Sequence, residues 1–217
     1  MRGFQLRADG ELLRILCLGA HGDDIEIGCG GTVLRLLEQY PDTQVSWVVF
    51  SDSGSKQRRN EAIASVKTIL GQSARRIEVK GFRDGFFPFY GEQLKEFFEQ
   101  LKREVDCDVV FTHCGEDLHQ DHRLVSQLTW NTFRDHLILE YEIVKYDGDL
   151  GTPNFYVALD KGICDRKVET LMRQFESQRY KSWFTEDVFY SMLRLRGVEC
   201  NSPGRYAEAF YARKLRI

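Results

Sequence analysis

The chain has 217 residues, of which 42% are hydrophobic and 29% are charged, and its formal net charge at pH 7 is −3. These fractions are typical of a folded globular protein, and without a basic tract, a signal segment or a membrane-length apolar run we expect no nucleic-acid or membrane partner. The six cysteines form no Cys-x-x-Cys pair, so we expect free thiols and a cytoplasmic protein.

The first 145 residues alternate between short apolar runs and stretches with helical spacing. The apolar runs predict strands at Arg14–Gly19, Gln44–Phe50, Arg76–Val79 and Asp108–Thr112. The helical spacing predicts helices at Thr32–Tyr40, Gln57–Leu70, Glu92–Val105 and Arg123–Arg134. This alternation indicates βαβ units, and therefore an α/β fold: a Rossmann-like three-layer sandwich with a mostly parallel sheet.

The rest of the chain is less regular. Apolar runs predict strands at 137–149, 154–160 and 206–217, and helical spacing predicts helices at 160–180 and 186–197. We expect one domain over residues 1–217 with its core in 14–145, because neither a repeat nor a low-complexity linker divides the chain. Residues 146–217 are expected to cover the ligand and close the fold.

Polar residues follow three of the four predicted core strands at the point where each strand ends. The first strand leads into AHGDD, the second into SDSG and the fourth into THCGEDLHQDH, while a charged glycine loop follows the third. Because ligands of parallel sheets bind outside the carboxyl ends of the strands, we expect these loops to meet at one rim that forms the active site.

Histidines and carboxylates concentrate in these loops. Four of the five histidines lie there: His21, His113, His119 and His122. The H-x-x-H spacing of the last two puts their rings about one helical turn apart. His21 and Asp24 add an imidazole and a carboxylate, and Asp23 lies beside them. Two imidazoles and one carboxylate suit catalytic zinc, and the remaining groups suit proton transfer, so the pattern predicts a metal-assisted hydrolase.

Each of these motifs alone has a simpler interpretation. An H-x-x-H pair at a helix start is more often structural, and adjacent aspartates before a helix are typically an N-cap pair. The GCGG segment is typical of a tightly packed turn. Their occurrence together at neighbouring strand ends favours the metal site.

The segment AHGDDIEIGCGGTV resembles the A-H-P-D-D-x-x-x-x-x-G-G motif of the N-acetylglucosaminyl de-N-acetylases, the PIG-L/LmbE-like family. His119–His122 resembles the second motif of that family, H-x-D-H, and SDSG, RRNEA, GFRDG and YAEAF are further similar segments. The resemblance implies a zinc hydrolase that removes an N-acetyl group from a GlcNAc-type sugar, sugar conjugate or sugar nucleotide.

The resemblance also implies roles for individual residues. Its motif positions imply three metal ligands: His21, Asp24 and His122. Asp23 is then the general base, His119 the cation that stabilises the oxyanion or protonates the departing amine, and Asp121 the partner that fixes an imidazole tautomer.

Arg58 and Asp84 match family positions that contact sugar hydroxyls. A simpler interpretation of Arg58 is an exposed helix residue paired with Glu61, and of Asp84 a turn residue before Gly85. Both interpretations of each residue stay open from the sequence.

Two positions depart from the family pattern. Gly22 stands where the family usually has proline, and Asp117 stands two residues before His119, where some members have an aromatic residue that polarises the carbonyl. In the C-terminal segment, Tyr180 and Trp183 could cover a sugar ring, but we expect the aromatic residues of this segment to pack in the core.

Three functions remain open at this stage. The first is the zinc deacetylase, with Fe²⁺ as a possible replacement for Zn²⁺ in a site of two histidines and one carboxylate. The second is a non-catalytic module that binds a sugar or nucleotide, and the third is a metal-dependent hydrolase of another bond. A homo-oligomer is compatible with any of them.

Overall fold

A seven-stranded sheet organises the part of the chain that this computed structural model describes, residue 6 and residues 12–215. Its strands are β1 (Arg14–Gly19), β2 (Gln44–Val49), β3 (Ala74–Val79), β4 (Val109–His113), β5 (Leu137–Tyr141), β6 (Phe155–Leu159) and β7 (Tyr206–Tyr211). The order is β3-β2-β1-β4-β5-β7-β6, in which β1 to β5 are parallel and β7 runs antiparallel to both of its neighbours.

Helices cover both faces of the sheet. They are α1 (Asp24–Gln39), α2 (Lys56–Leu70), α3 (Gly91–Glu104), α4 (Gln120–Thr132), α5 (Lys161–Gln174) and α6 (Glu186–Glu199). Alternate residues of β1 face opposite layers: Ile15 and Cys17 pack with α1, α2, α5 and α6, whereas Leu16 and Leu18 pack with α3 and α4. All four side chains are buried. The three-layer α/β fold predicted from the sequence is therefore confirmed.

The start of α1 is the main error of the sequence prediction. The helix begins at Asp24 and not at Thr32, so the glycines expected in a turn lie inside it. A Cβ atom at Gly28 would lie 2.2 Å from the Tyr141 ring, and one at Gly31 would lie 2.7 Å from Leu159. These glycines let the helix lie directly against the sheet, which offsets their low helix propensity.

The other core boundaries lie within three residues of the prediction, and the larger differences are in the C-terminal segment. The strand predicted at 137–149 ends at Tyr141, and the helix predicted at 160–180 is divided into α5 and a 3₁₀ turn at Glu176–Gln178. Strand β7 ends at Tyr211, and residues 216 and 217 of its predicted range lie outside the described residues. Among the residues described, no helix combines the length and apolarity that crossing a bilayer would need.

A buried ion pair fixes α1 against the C-terminal half of the chain. Lys167 Nζ on α5 donates to Glu208 Oε1 on β7 at 2.5 Å and to the Ile27 carbonyl of α1 at 2.6 Å. Glu208 also accepts from the backbone N–H groups of Gly31 and Thr32, at 2.8 and 2.6 Å. Both charged side chains are buried, and together they hold the helix whose N-terminus contributes to the rim.

Candidate metal centre

The loops that follow β1 to β4 meet at one cleft, at the carboxyl ends of the parallel strands. The cleft has a volume of about 1200 Å³, counting its solvent-open mouth. The site residues predicted from the sequence that line it are His21, Asp23, Asp24, Arg58, Asp84, His119 and His122. Asp121 lies behind them and is fully buried.

The turn between β1 and α1 folds the Asp24 side chain back onto His21. The His21 backbone N–H donates to Asp24 Oδ2 at 2.7 Å, and the Asp24 N–H donates to the His21 carbonyl at 3.4 Å. Asp23 occupies the N-cap position but makes no capping bond through its side chain. A Cβ atom at Gly22 would make an ordinary 3.4 Å contact with Ala62, so crowding does not explain the glycine.

Three donor atoms converge at the base of the cleft. His21 Nδ1 lies 3.2 Å from His122 Nε2 and 3.3 Å from Asp24 Oδ2, and the last two atoms are 3.5 Å apart. Tetrahedral zinc with bonds of 2.0–2.2 Å holds neighbouring ligand atoms roughly 3.4 Å apart. The separations of these three donor atoms therefore suit one metal ion. Two further sets of side chains near this point could hold a metal. One combines His119 with His21 and His122, and the other combines His113 with Asp24 and His122.

The second nitrogen of each converging imidazole faces a carboxylate. His21 Nε2 lies 3.0 Å from Asp84 Oδ1 and 3.3 Å from Asp121 Oδ2, and His122 Nδ1 lies 2.9 Å from Asp117 Oδ2. A carboxylate in this position keeps a proton on the facing nitrogen, which leaves the lone pair of the other nitrogen for a metal.

Asp121 has a second task besides its contact with His21. Its two oxygens accept from the backbone N–H groups of Gly85, at 2.6 Å, and Phe87, at 3.0 Å. Gly85 adopts a φ of 77°, a left-handed conformation that glycine enters at little cost. The side chain thus connects α4 to the loop after β3 and holds Asp84 at the rim.

The buried histidines and carboxylates of the cluster shift one another's pKa values. Burial, together with the neighbouring His113, lowers the pKa of His122 to about 3, so this imidazole is neutral, as a metal ligand must be. Burial alone would raise the pKa of Asp24, but His122, His113 and His21 hold it well below its ordinary value. Burial likewise opposes the charge of His21, yet the carboxylates around it raise its pKa well above the ordinary value, so His21 must release a proton from Nδ1 to bind a metal.

Arg58 is not the exposed helix residue that the simpler interpretation expected. Its side chain is buried, and its Nη2 donates to Asp23 Oδ1 at 2.7 Å. Glu61 lies 3.9 Å from the guanidinium and instead accepts from the Ser177 backbone N–H at 3.0 Å. Burial opposes the charge of Arg58, but Asp23 raises the pKa of the guanidinium above its ordinary value. Arg58 is therefore first of all the counter-ion of Asp23.

His119 lies at the N-cap of α4, where its Nδ1 accepts from the Asp121 backbone N–H at 3.3 Å. Its ring stands edge-on to His21, with the centroids 5.1 Å apart. Burial, and then the charge of His21, lower the pKa of His119 below its ordinary value. This shift favours the neutral imidazole, and the role expected for His119 from the sequence stays a prediction.

Sequence reasoning left three buried groups without a role. His113 ends β4, stacks on His122 with 3.9 Å between the ring centroids, and accepts from the Ala20 backbone N–H at 2.9 Å. Asp117 is the partner of His122 described above. Glu26 is 1% exposed, and burial raises its pKa to about 8. The only available signal for these groups was their position beside the motifs.

The aromatic residues of the C-terminal segment differ from expectation. Tyr146 and Tyr180 are 71% and 81% exposed, and with Trp183 they line the outer part of the cleft instead of packing in the core. Phe184, next to Trp183, does pack in the core, since it is 1% exposed. The core expectation was therefore wrong for Tyr146 and Tyr180.

Comparison with known proteins identifies the family and the fold of the chain. The model of the PIG-L family, described as GlcNAc-PI de-N-acetylase, matches residues 16–133, more than half of the chain. The conserved protein TT1542 from Thermus thermophilus is 21% identical, with a TM-score of 0.76 over 94% of this chain and 97% of that one. The N,N'-diacetylchitobiose deacetylase from Pyrococcus horikoshii is 20% identical, with a TM-score of 0.68 over 92% and 83%.

A third similar structure is GalB, the 4-carboxy-2-hydroxymuconate hydratase from Pseudomonas putida. It is 17% identical, with a TM-score of 0.75 over 94% of this chain and 98% of that one. At such identities, these structures define the fold alone, and function has to be argued from the site.

The α/β fold carries at its strand ends a histidine–carboxylate cluster whose donor groups suit a metal ion. The chain belongs to the PIG-L family of de-N-acetylases. It is therefore a hydrolytic N-deacetylase, and the family assignment made from the two sequence motifs is confirmed.

Proposed function

We propose that the chain is a zinc-dependent hydrolase that removes the N-acetyl group of a GlcNAc-type amino sugar, giving acetate and a free amine. The main support is the triangle of His21 Nδ1, Asp24 Oδ2 and His122 Nε2, with sides of 3.2 to 3.5 Å, beside the carboxylate of Asp23. These three side chains would hold the metal. When bound, zinc supplies a Lewis acid for the amide carbonyl and makes water nucleophilic near neutral pH.

Asp23 is proposed as the general base. Its Oδ1 accepts from Arg58, and its Oδ2 has no hydrogen-bond partner among the described residues, so that oxygen can take a proton from the attacking water. Arg58 keeps the carboxylate in one orientation, and we assign it this task in addition to any contact with sugar hydroxyls. Asp84, with its side chain 48% exposed at the rim, is the better candidate for a contact with substrate.

His119 is proposed to deliver a proton to the departing amine. Because its lowered pKa favours the neutral ring, it would acquire that proton during turnover instead of carrying it at rest. Its Nδ1 is engaged by the Asp121 N–H, which leaves Nε2 to face the cleft. Asp121 contacts His21 and fixes the loop that positions Asp84, so we propose that it orients the site and does not react.

The proposal is tested by loading the metal-free protein with Zn²⁺ or Fe²⁺ and measuring bound metal together with acetate release from a panel of N-acetylated sugars and sugar nucleotides. We expect one Zn²⁺ per chain and acetate release that a chelator abolishes. His122→Ala should lose both metal and activity, whereas His136→Ala, on a histidine outside the cleft, should keep both.

Two outcomes would replace the proposed function. A protein that takes up no divalent ion after zinc supplementation is a non-catalytic binding module. A fully zinc-loaded protein that releases no acetate from any member of the panel acts on another bond, and the panel is then extended to other hydrolysable bonds.

The Asp117–His122 contact makes a separate prediction about metal affinity. Asp117→Asn removes the charge that holds the proton on His122 Nδ1, so the affinity for zinc should fall roughly 10- to 100-fold. Competition with a zinc chelator of known affinity measures this change. Glu116→Gln removes an exposed neighbouring carboxylate and should leave the affinity as it is. Equal affinities in the two variants would mean that Asp117 does not support His122.

A cytoplasmic location is also part of the proposal. All six cysteines are free and buried, which fits a protein that folds with reduced thiols. Fractionation of the native cells with an antibody against the chain tests the location directly, and recovery in an oxidising compartment would contradict it.

A further inference from the structure

Three aromatic side chains form a wall on the outer part of the cleft, beyond the metal centre. This aromatic wall consists of Tyr146, Tyr180 and Trp183. Exposed aromatic rings leave apolar area in contact with water, and such area in a cleft is characteristic of ligand-binding surfaces. The wall therefore needs an explanation beyond folding.

Two members of the wall are held in place without being buried. Tyr146 Oη accepts from the Ser182 backbone N–H at 3.3 Å, and its ring meets that of Trp183 edge-on, with the centroids 6.5 Å apart. Trp183 in turn packs against the buried ring of Phe184 at 5.6 Å. Since these contacts restrict the rings before any ligand arrives, binding loses little side-chain entropy there.

The charges around the wall favour an uncharged ligand. Of the arginine and lysine side chains that line the cleft within the described residues, Arg58 is paired with Asp23, and Lys145 is paired with Asp117 at 3.2 Å and with Asp149. Lys181 lies over the Trp183 ring at 5.2 Å. Phosphate groups require free cationic donors, ideally arginine forks, and this cleft offers only the one lysine.

The polar groups at the same rim suit hydroxyl groups. The side chains of Asp84 and Asp147 are 48% and 40% exposed, and their oxygens can accept hydrogen bonds from a ligand. Aromatic faces that cover C–H groups, combined with carboxylates that accept from hydroxyls, suit the apolar face and the polar edge of a pyranose ring.

We propose that the aromatic wall is a subsite for a second sugar ring, so that the substrate is an uncharged N-acetylated oligosaccharide of at least two rings. This inference rests on the proposed deacetylase function and narrows its substrate class. It disfavours both the free monosaccharide and the sugar nucleotide, because the former leaves the wall empty and the latter introduces a diphosphate.

The test compares kcat/KM for acetate release from N-acetylglucosamine, N,N'-diacetylchitobiose and UDP-N-acetylglucosamine with the zinc-loaded protein. We expect the disaccharide to be preferred to both of the others. Trp183→Ala should reduce the ratio of disaccharide to monosaccharide kcat/KM roughly tenfold, mainly through the KM of the disaccharide. Trp183→Phe, which keeps an aromatic ring, should retain most of the ratio.

Phe89→Ala is the matched control, because Phe89 is 80% exposed but does not line the cleft. It should leave the ratio unchanged. The inference is overturned if the disaccharide is not preferred, if the sugar nucleotide is the best of the three, or if Trp183→Ala lowers kcat/KM equally for both neutral sugars. Failure of the deacetylase function itself is a different result, namely no acetate from any of the three compounds.

Discussion

Asp23→Asn is expected to lower kcat for deacetylation by a factor of about 10² to 10⁴ while the metal stays bound. The amide is nearly isosteric with the carboxylate, and its carbonyl oxygen can still accept from Arg58 Nη2, which lies 2.7 Å from Asp23 Oδ1 in the native protein. The amide cannot take a proton from water at neutral pH. A fall in kcat with little change in KM or in zinc content would therefore isolate proton transfer from binding.

A second aspartate–arginine pair provides the control for this variant. Asp52 Oδ2 lies 3.2 Å from Arg59 Nη1, beside the same helix, but neither residue lines the cleft. Asp52→Asn should keep a kcat close to that of the wild type. If Asp23→Asn retained full activity, another group would have to act as the base, and His119 would be the first candidate to examine.

Because Asp23 and Arg58 are both buried, the variant also needs a stability measurement. Removing the charge opposite a buried guanidinium leaves that cation less well compensated. Thermal unfolding of the zinc-loaded variant shows whether lost activity is lost folding. A variant that unfolds at the wild-type temperature but turns over slowly supports the assignment of Asp23 as the base.

The convergence of the metal-ligand candidates was predictable because it follows from topology. His21 and Asp24 follow β1, and His122 lies in the helix after β4, which is the neighbour of β1 in the sheet. Parallel neighbours direct their carboxyl ends to one edge, so residues a hundred positions apart meet there. The sequence does not reveal the strand order, but the occurrence of the two motifs together indicated that their residues meet at one edge of the sheet.

The contacts of individual side chains were less predictable. The direction in which Arg58 points depends on how α2 rotates about its axis against α1 and α5, and a polar helix with weak apolar periodicity does not encode that rotation. Asp117 supports His122 through a turn whose shape depends on several loops. Such details arise from tertiary packing, which local sequence patterns do not record.

The early start of α1 has a similar cause. Glycine lowers helix propensity, so a segment with Gly28, Gly30 and Gly31 is typical of a turn when only local effects are considered. In the folded chain, the Tyr141 ring fills the space where a Cβ atom at Gly28 would stand. Tertiary packing therefore outweighs propensity at this position, and it brings the helix N-terminus to the candidate metal centre.

Lys167→Met is expected to destabilise the protein by about 3–5 kcal/mol, because it leaves the buried Glu208 carboxylate without its cation. Glu208 would keep the hydrogen bonds from the Gly31 and Thr32 N–H groups, but the Ile27 carbonyl would lose the Lys167 Nζ donor. Urea unfolding followed by circular dichroism, performed on the metal-free protein, measures the free energy of unfolding without a contribution from ligand binding.

Lys161→Met tests whether burial of the ion pair is the reason for the expected loss of stability, since it removes another lysine of the same helix. Lys161 is paired with Asp165, but both side chains are largely exposed, so solvent screens the pair and its loss should cost far less. The double variant Lys167→Met with Glu208→Gln removes both buried charges and should recover part of the loss. Equal effects of Lys167→Met and Lys161→Met would mean that the buried pair does not stabilise the contact of α1 with α5 and β7.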